Sequence, residues 1–393
     1  MRILDVRTYV APPPSGSWLN EVRVSTPMSV YPEYGAQRGS WRGPNTQDVF
    51  IEIVAGDGLT GLGITRGGAV VETIVEKHLK SLLVGKDPRN VELLWEQMFL
   101  ATLAYGRKGA PVMAVSGVDL ALWDLLAKSM GQPLYRVLGG AAHESLPVYA
   151  THPDPHALVR EGFVGTKIPM AYGPADGREG LRKNVERVAA MREKVGEDID
   201  VMVDCWMSWD VDYTLAFARE AASLHLRWIE EPLPPDDYDG YALLRRKISG
   251  PQIATGEHEY CRWGFKELLT RGCADVLQPD IAWSGGITEI RRVIAMASAW
   301  GIPVIPHNGL MQPWATHLMF ASPACPLAEY ILFWGANDRA PPPLMLGGLV
   351  PDQGRVRPRE DAGAGVALDL AEWQRQTGRA AAAAADPRPQ GTT

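Results

Sequence analysis

From residue 147 onward, the sequence repeats one unit, a short apolar run followed by a segment with helical periodicity. The units recur at intervals of roughly 20 to 40 residues, a spacing typical of strands and helices that alternate around a parallel sheet. Seven or eight such units over about 190 residues predict an α/β fold, a (β/α)7-8 TIM-like barrel. The apolar runs are residues 147–151, 165–169, 201–204, 228–230, 253–257, 276–280 and 304–307, with a weaker eighth at 329–332.

The residues before the barrel follow a different pattern. Residues 3–9 are strand-like, residues 12–44 are rich in glycine and proline, and the chain then alternates around Asp57-Gly58 as a β-hairpin does. Helical periodicity returns between residues 114 and 130. This mixture predicts an α+β unit that precedes the barrel.

These patterns divide the chain into three parts. We expect an N-terminal α+β capping domain at residues 1–125, with a substrate lid loop at about 14–45 that closes over the barrel mouth. The barrel, with the catalytic site, would occupy residues 126–335. Residues 336–393 would form a C-terminal segment that completes the capping domain, and the low-complexity last fifteen residues would be disordered.

Composition and charge argue against several classes of partner. The formal net charge is −7 and the longest basic patch is Arg245-Arg246-Lys247, so we expect no nucleic acid partner. Neither a long uninterrupted apolar stretch nor a signal-peptide pattern is present, so we expect a cytoplasmic protein with no membrane partner. The four cysteines occur in no C-x-x-C spacing, which argues against a zinc site or a disulfide framework.

Three carboxylates end successive apolar runs. Asp204, Glu230 and Glu257 are 26 and 27 residues apart, and the carboxyl ends of barrel strands meet at one mouth. Carboxylates held together repel one another unless a cation lies between them. A few hard oxygen ligands suit Mg²⁺ better than a softer metal. Each residue alone could be a salt-bridged barrel residue, but the trio favours one Mg²⁺ per subunit.

A histidine and two further acids lie in the later runs. His307 ends the seventh run and Asp280 ends the sixth, so the carboxylate could orient the imidazole as a general base. The alternative is a structural histidine. Glu329, in the eighth run, could be protonated and donate a hydrogen bond to developing negative charge. A salt bridge at the barrel rim is the alternative reading of Glu329.

Three more residues are candidates for substrate binding. Lys167 lies in the second run and Arg38 in the glycine-rich N-terminal loop, where a cation could hold a carboxylate or a hydroxyl-rich substrate. Either could instead be a solvated surface charge. His258 and Glu259 follow Glu257, and we expect one of them to contact substrate while the other points away; His258 is the candidate.

Motifs along nearly the whole chain resemble the enolase superfamily, in its mandelate racemase-like branch. The resemblance implies that Asp204, Glu230 and Glu257 bind Mg²⁺, that His307 is the base with Asp280 as its partner, and that Glu329 stabilises the transition state. It further implies that Arg38 contacts substrate. The motifs are TPMSVYPEYGAQR (26–38), VDLALWDLLAK (118–128), KIPMAYGPADG (167–177), REKVGEDIDVMVDCWMS (192–208), WIEEPLPPDDYDGY (228–241), GEHEY (256–260), LQPDIAWSGGITE (277–289) and VIPH (304–307).

The resemblance also suggests a reaction type. Relatives that racemise carry a K-x-K pair at the end of the second strand, whereas this chain has Lys167-Ile168-Pro169. One base acting through His307 agrees with the sugar acid dehydratases that the chain resembles, and the resemblance implies a carbon-oxygen lyase for L-rhamnonate or for a related acid such as L-lyxonate, L-mannonate or L-galactonate. A racemase or epimerase is one alternative, and an inactive barrel that serves as a binding scaffold is another. The family further implies a homo-oligomer, from dimer to octamer.

The segment after His307 departs from the pattern of these dehydratases. It reads His307-Asn-Gly-Leu-Met-Gln-Pro in this chain. The departure lies where the distal hydroxyls of a sugar acid would be recognised, so it affects the identity of the substrate more than the type of reaction.

Overall fold

The computed structural model describes residues 1–13, 22–34, 47–332 and 344–380. Most of the expected lid loop, and Arg38 within it, lie outside the described residues. The same holds for the last thirteen residues of the low-complexity tail. Short 3-10 helices occur at Pro27–Val30, Pro32–Tyr34, His156–Glu161, Pro174–Asp176 and Ala222–Leu224.

The N-terminal unit is a three-stranded antiparallel sheet covered by helices. The hairpin predicted around Asp57-Gly58 is present, with Asp48 paired to Arg66 and Val54 to Thr60. The strands are β1 (Ile3–Val10), β2 (Asp48–Ala55) and β3 (Thr60–Arg66), and the helices are α1 (Gly68–Ile74), a π-helical turn (Val75–Leu79), α2 (Lys80–Leu83), α3 (Val91–Thr102), α4 (Ala110–Ser129) and α5 (Leu134–Val137).

Helix α4 forms the centre of this unit because it lies directly on β3. A Cβ atom added at Gly63 would lie 2.0 Å from the carbonyl oxygen of Gly117, so only glycine allows this approach. Among the described residues, α4 is the one helix long and apolar enough to cross a membrane, and most of it is buried inside the protein. This burial identifies α4 as a core helix.

The second unit is a curled parallel sheet with helices on its outer side. The strands follow the order β10-β4-β5-β6-β7-β8-β9, which brings their carboxyl ends to one mouth. The strands are β4 (Leu146–Thr151), β5 (Gly165–Pro169), β6 (Asp200–Asp204), β7 (Leu226–Glu230), β8 (Gln252–Thr255), β9 (Val276–Leu277) and β10 (Ala328–Ile331); the helices are α6 (Gly177–Val195), α7 (Val211–Glu220), α8 (Tyr238–Lys247), α9 (Cys261–Thr270), α10 (Gly286–Ala299) and α11 (Pro313–Phe320). The predicted α/β barrel with a capping unit is therefore confirmed.

The structure corrects the later strands. Residues 304–307, predicted as the seventh strand, contribute only an isolated bridge between Val304 and Leu277. Pro303 and Pro306 explain this, because proline has no N–H to donate to a neighbouring strand. Strands β8 and β9 also end early, so Glu257 and Asp280 lie in the loops that follow them.

The C-terminal segment contacts both units. Its strands are β11 (Met345–Leu346), β12 (Arg355–Val356) and β13 (Ala367–Leu368), and its helix is α12 (Leu370–Thr377). Strand β12 pairs with β4 of the barrel, whereas the Trp373 indole donates to the carbonyl of Val10 in β1 at 2.9 Å. Asp124 of α4 accepts from the backbone N–H of Ala364 on one oxygen and of Leu62 in β3 on the other, both at 2.8 Å.

A buried histidine at this junction should make stability depend on pH. His317 in α11 accepts at Nδ1 from the Tyr135 backbone N–H, and burial lowers its pKa from 6.5 to about 4. Since the unfolded chain binds this proton more readily, stability should be complete above pH 6.5 and fall by up to about 3 kcal/mol toward pH 4. His317→Asn keeps an acceptor but does not titrate, so its urea-unfolding free energy should fall less over this range. Equal slopes for the two proteins would contradict the assignment.

Candidate metal centre and active site

Two of the predicted metal ligands lie side by side at the barrel mouth. Asp204 ends β6, Glu230 ends β7, and the two residues are partners in the parallel register. Glu230 is fully buried. Its Oε2 accepts from Trp228 Nε1 at 3.0 Å and from Gln278 Nε2 at 2.8 Å. The Glu230 carboxylate is therefore fixed by donors from its own strand and from the segment that follows β9.

Lys167 lies in the barrel interior between two carboxylates. Its side chain is 1% exposed, and Nζ contacts Glu230 Oε1 and, at 2.7 Å, Glu329 Oε1. The alternative of a solvated surface charge is therefore wrong for Lys167. Lys167 forms ion pairs with Glu230 and Glu329. Its predicted contact with substrate therefore stays a prediction that this geometry does not support.

The surroundings of Glu329 favour its ionised form over the expected protonated donor. Burial alone would raise its pKa, but the charge of Lys167, together with His307, lowers it to about 2. Among the described residues, both oxygens of Glu329 act as acceptors. The donors are Thr151 Oγ1 at 2.5 Å, the Asn308 backbone N–H at 2.6 Å and Lys167. Glu329 thus accepts hydrogen bonds and holds Lys167 in place.

A second acidic cluster lies on the loops beyond β7 and β8. Ligand atoms of Glu231, Glu257 and His258 all lie within 4.8 Å of one another. Glu231 Oε2 accepts from His258 Nδ1 at 2.6 Å, and His258 Nε2 lies 3.9 Å from Glu257 Oε1. The left-handed backbone of Glu231, with φ of 38°, is uncommon for a residue other than glycine.

Glu231 is not among the ligands predicted from the sequence. The signal was present, because Glu230 and Glu231 are consecutive carboxylates at a strand end, but alternation along a strand places only one of them inside the barrel. The left-handed turn at Glu231 overcomes this alternation. Among the described residues, the compact group that could hold a metal ion contains Glu231, Glu257 and His258. The predicted trio of Asp204, Glu230 and Glu257 stays a prediction.

The chemistry of the donors fits a hard divalent cation. Asp204, Glu230, Glu231, Glu257 and Glu329 are all carboxylates at this mouth, and Lys167 is the lysine among them. Burial raises the pKa of Glu257 to about 7 and that of Asp204 above its usual value. Such crowding of negative charge in a desolvated site is what a bound Mg²⁺ relieves.

His307 and Asp280 form the hydrogen bond that their spacing predicts. His307 Nδ1 lies 2.9 Å from Asp280 Oδ2, so Nε2 is the ring nitrogen that faces away from Asp280. Nε2 lies 3.3 Å from Glu257 Oε1, so the base adjoins the acidic cluster. Burial alone would lower the pKa of His307, but Glu257 and Asp280 raise it to about 10. Without a cation these two carboxylates favour the imidazolium form, and a cation on Glu257 would lower the pKa toward the range of a general base.

Aromatic rings form one wall of the mouth. Trp283 stands between the two histidines, with ring centroids 5.5 Å from His258 and 5.6 Å from His307. The Arg66 guanidinium, from the end of β3 in the capping unit, lies 5.6 Å from the Trp283 ring. The capping unit therefore reaches the rings that flank the candidate base, where apolar surface excludes water.

The two residues after Glu257 point in different directions, as expected. His258 faces the acidic cluster, whereas Glu259 contacts Tyr238 Oη at 2.6 Å and Lys108 Nζ at 2.9 Å. Glu259 therefore ties the barrel to the loop before α4 and takes no part in the mouth.

Two known families match the chain. "Mandelate racemase / muconate lactonizing enzyme, N-terminal domain" covers residues 42–139, and "Enolase C-terminal domain-like" covers residues 155–373. The chain therefore belongs to the enolase superfamily, in its mandelate racemase-like branch, as the motifs predicted.

Solved structures of relatives carry names for different reactions. L-rhamnonate dehydratase from Gibberella zeae is 38% identical, with a TM-score of 0.89 over 95% of both chains. A racemase from Streptomyces coelicolor A3(2) with bound magnesium is 30% identical, with a TM-score of 0.79 over 95% of this chain and 99% of that one. The 3,6-anhydro-D-galactonate cycloisomerase from Zobellia galactanivorans is 26% identical, with a TM-score of 0.79 over 96% and 99%. The superfamily alone thus leaves the reaction open.

Proposed function

We propose that this protein is a Mg²⁺-dependent sugar acid dehydratase that resembles L-rhamnonate dehydratase. The observation that carries the proposal is the His307–Asp280 pair, whose Nε2 adjoins the carboxylate cluster while Pro169 occupies the place of a second lysine. One base on one face of the substrate is what an elimination requires, whereas racemisation needs a second group opposite. The similarity to L-rhamnonate dehydratase from Gibberella zeae, also solved complexed with Mg, agrees with this reaction.

The residues divide the reaction among them. His307 Nε2 removes the proton from the carbon next to the substrate carboxylate, while Asp280 holds the ring and stabilises the imidazolium that forms. Mg²⁺, held by Glu257 with Asp204 and Glu230 or Glu231, would supply positive charge that stabilises the deprotonated substrate. Protonated His307 then returns its proton to the hydroxyl on the next carbon, which leaves as water. The enol left behind tautomerises to a 2-keto-3-deoxy sugar acid.

The proposal also covers the cellular compartment, the oligomeric state and the substrate. We infer a cytoplasmic homo-oligomer, with one Mg²⁺ and one sugar acid site in each subunit. Arg38 and the remainder of the expected lid loop would complete the site from the capping side. The substrate would be L-rhamnonate or a related acid such as L-lyxonate, L-mannonate or L-galactonate.

The test is turnover of a panel of aldonic and aldaric acids with Mg²⁺, followed by trapping of the 2-keto-3-deoxy product with semicarbazide. We expect a product that depends on Mg²⁺ and disappears with a chelator. Running the reaction in D₂O separates the alternatives. A racemase or epimerase would exchange the proton for deuterium or invert the configuration of the carbon, without forming a keto acid. If none of the acids gives either product or proton exchange, the result would support an inactive barrel that serves as a binding scaffold.

A further inference from the structure

Gln312, five residues after the candidate base, contacts the Asp280 carboxylate of the His307–Asp280 pair, which we call the dyad. Gln312 precedes α11, and its side chain is buried, with a relative exposure of 6%. Its Nε2 lies 3.1 Å from Asp280 Oδ1 and 3.0 Å from Asp280 Oδ2. The segment between His307 and Gln312 is the one that departs from the family pattern, so the family motifs assign no role to this amide.

The orientation of the Gln312 amide follows from its surroundings. With the amide reversed, Oε1 would face the Asp280 carboxylate, and two acceptors would repel each other. Asp280 already accepts from the Ala282 backbone N–H on Oδ1 at 2.8 Å and from His307 on Oδ2. Gln312 is the third donor and the one that contacts both oxygens, so it fixes the rotation of the carboxylate plane.

The buried amide of Gln312 lowers the stability of the folded protein in one respect. Gln312 Oε1 is buried and has no hydrogen-bond partner among the described residues. An unsatisfied buried acceptor destabilises the folded state, and an apolar side chain of the same length would avoid this cost. The amide is therefore better explained by its contact with Asp280 than by the stability of the barrel.

We infer that Gln312 is a positioning residue for the dehydratase reaction: it holds the Asp280 carboxylate so that His307 Nε2 is aimed at the substrate proton. This inference rests on the proposed function for its role in turnover, but not for its structural part. Gln312 need not touch substrate, since it acts through Asp280. Its loss should therefore lower kcat more than it changes KM.

The test is Gln312→Met, which keeps the length of the side chain and removes the donor. We expect kcat to fall about ten- to a hundred-fold, as for the loss of a hydrogen bond to a charged group, with KM within about two-fold of wild type. The Tm should change little, because Asp280 loses one of its donors while the unsatisfied Oε1 is removed as well. Gln376→Met is the matched control: Gln376 also donates to a carboxylate, that of Glu372 at 2.7 Å, but in α12 far from the mouth, and it should leave kcat and KM unchanged.

A second measurement does not depend on turnover. In protein labelled with ¹⁵N-histidine, the His307 Nδ1–H signal, identified by its loss in His307→Asn, should shift or broaden in Gln312→Met and stay unchanged in Gln376→Met. An unaltered kcat, a loss of kcat that only follows a lowered Tm, or an unaltered His307 signal would overturn the inference. If the wild-type protein dehydrates no acid on the panel, the proposed function fails, whereas the NMR comparison still decides whether Gln312 orients the dyad.

Discussion

His307→Asn is expected to abolish turnover, with a loss of at least about a thousand-fold, while Mg²⁺ binding survives. General acid-base groups contribute about 10²- to 10⁴-fold, and His307 would act twice, first as base and then as acid. Asparagine can still donate to Asp280, so the shape of the loop is kept. The measurements are kcat on the active substrate and the rise of Tm with Mg²⁺, since an ion that binds only the folded protein must raise it.

The control for this variant is His225→Asn. His225 is exposed, pairs with Glu197 at 3.1 Å, and has a left-handed backbone with φ of 48°, which asparagine tolerates. We expect its turnover and its Mg²⁺ response to equal those of wild type. Normal turnover in His307→Asn would remove His307 from the mechanism, and a lost Mg²⁺ response would mean that the histidine contributes to the metal site itself.

Lys167→Met should destabilise the folded protein by about 3 to 5 kcal/mol. Removing one partner of a buried ion pair leaves an uncompensated charge in the interior, and here both Glu230 and Glu329 lose their lysine. The measurement is the free energy of unfolding in urea with a chelator present. Lys183→Met is the control, since Lys183 pairs with Glu179 at 3.3 Å on the surface of α6. Its loss should cost at most about 1 kcal/mol, and an equally small effect at Lys167 would show that the interior pair is not what the contacts indicate.

The same variant bears on which glutamate faces the ion. If Glu230 is a ligand, Mg²⁺ should restore part of the stability lost in Lys167→Met, because the cation replaces the missing positive charge beside it. If Glu231 takes that place, the ion should stabilise wild type and variant equally. Comparing the two increments of unfolding free energy therefore separates the predicted trio from the cluster of Glu231, Glu257 and His258.

The sequence predicted the barrel and the dyad because both depend on local patterns. Apolar runs identify strands, and the ends of parallel strands meet at one mouth, so the proximity of Asp280 and His307 follows from counting along the chain. The missing seventh strand could also have been predicted, because Pro303 and Pro306 lie on either side of Val304 and proline has no N–H to donate to a neighbouring strand.

Other features depended on contacts that are distant along the chain. The pKa of Glu329 is lowered chiefly by Lys167, 162 residues earlier, and no periodicity shows that this lysine points inward. The contact between Glu231 and His258 requires a left-handed turn at a residue other than glycine, for which the sequence gives no signal. Both features concern side-chain direction, which the strand pattern does not specify once the strand has ended.

The path of the C-terminal segment has a consequence for recombining such enzymes. Trp373 hydrogen-bonds to β1, Ala364 hydrogen-bonds to Asp124 of α4, and β12 pairs with the first residues of β4. The cap is therefore a composite of the two ends of the chain, with the barrel inserted between them. A chimaera that exchanges caps between relatives would have to carry residues 344–380 together with the N-terminal unit, because a single crossover near residue 125 would join halves of two different interfaces.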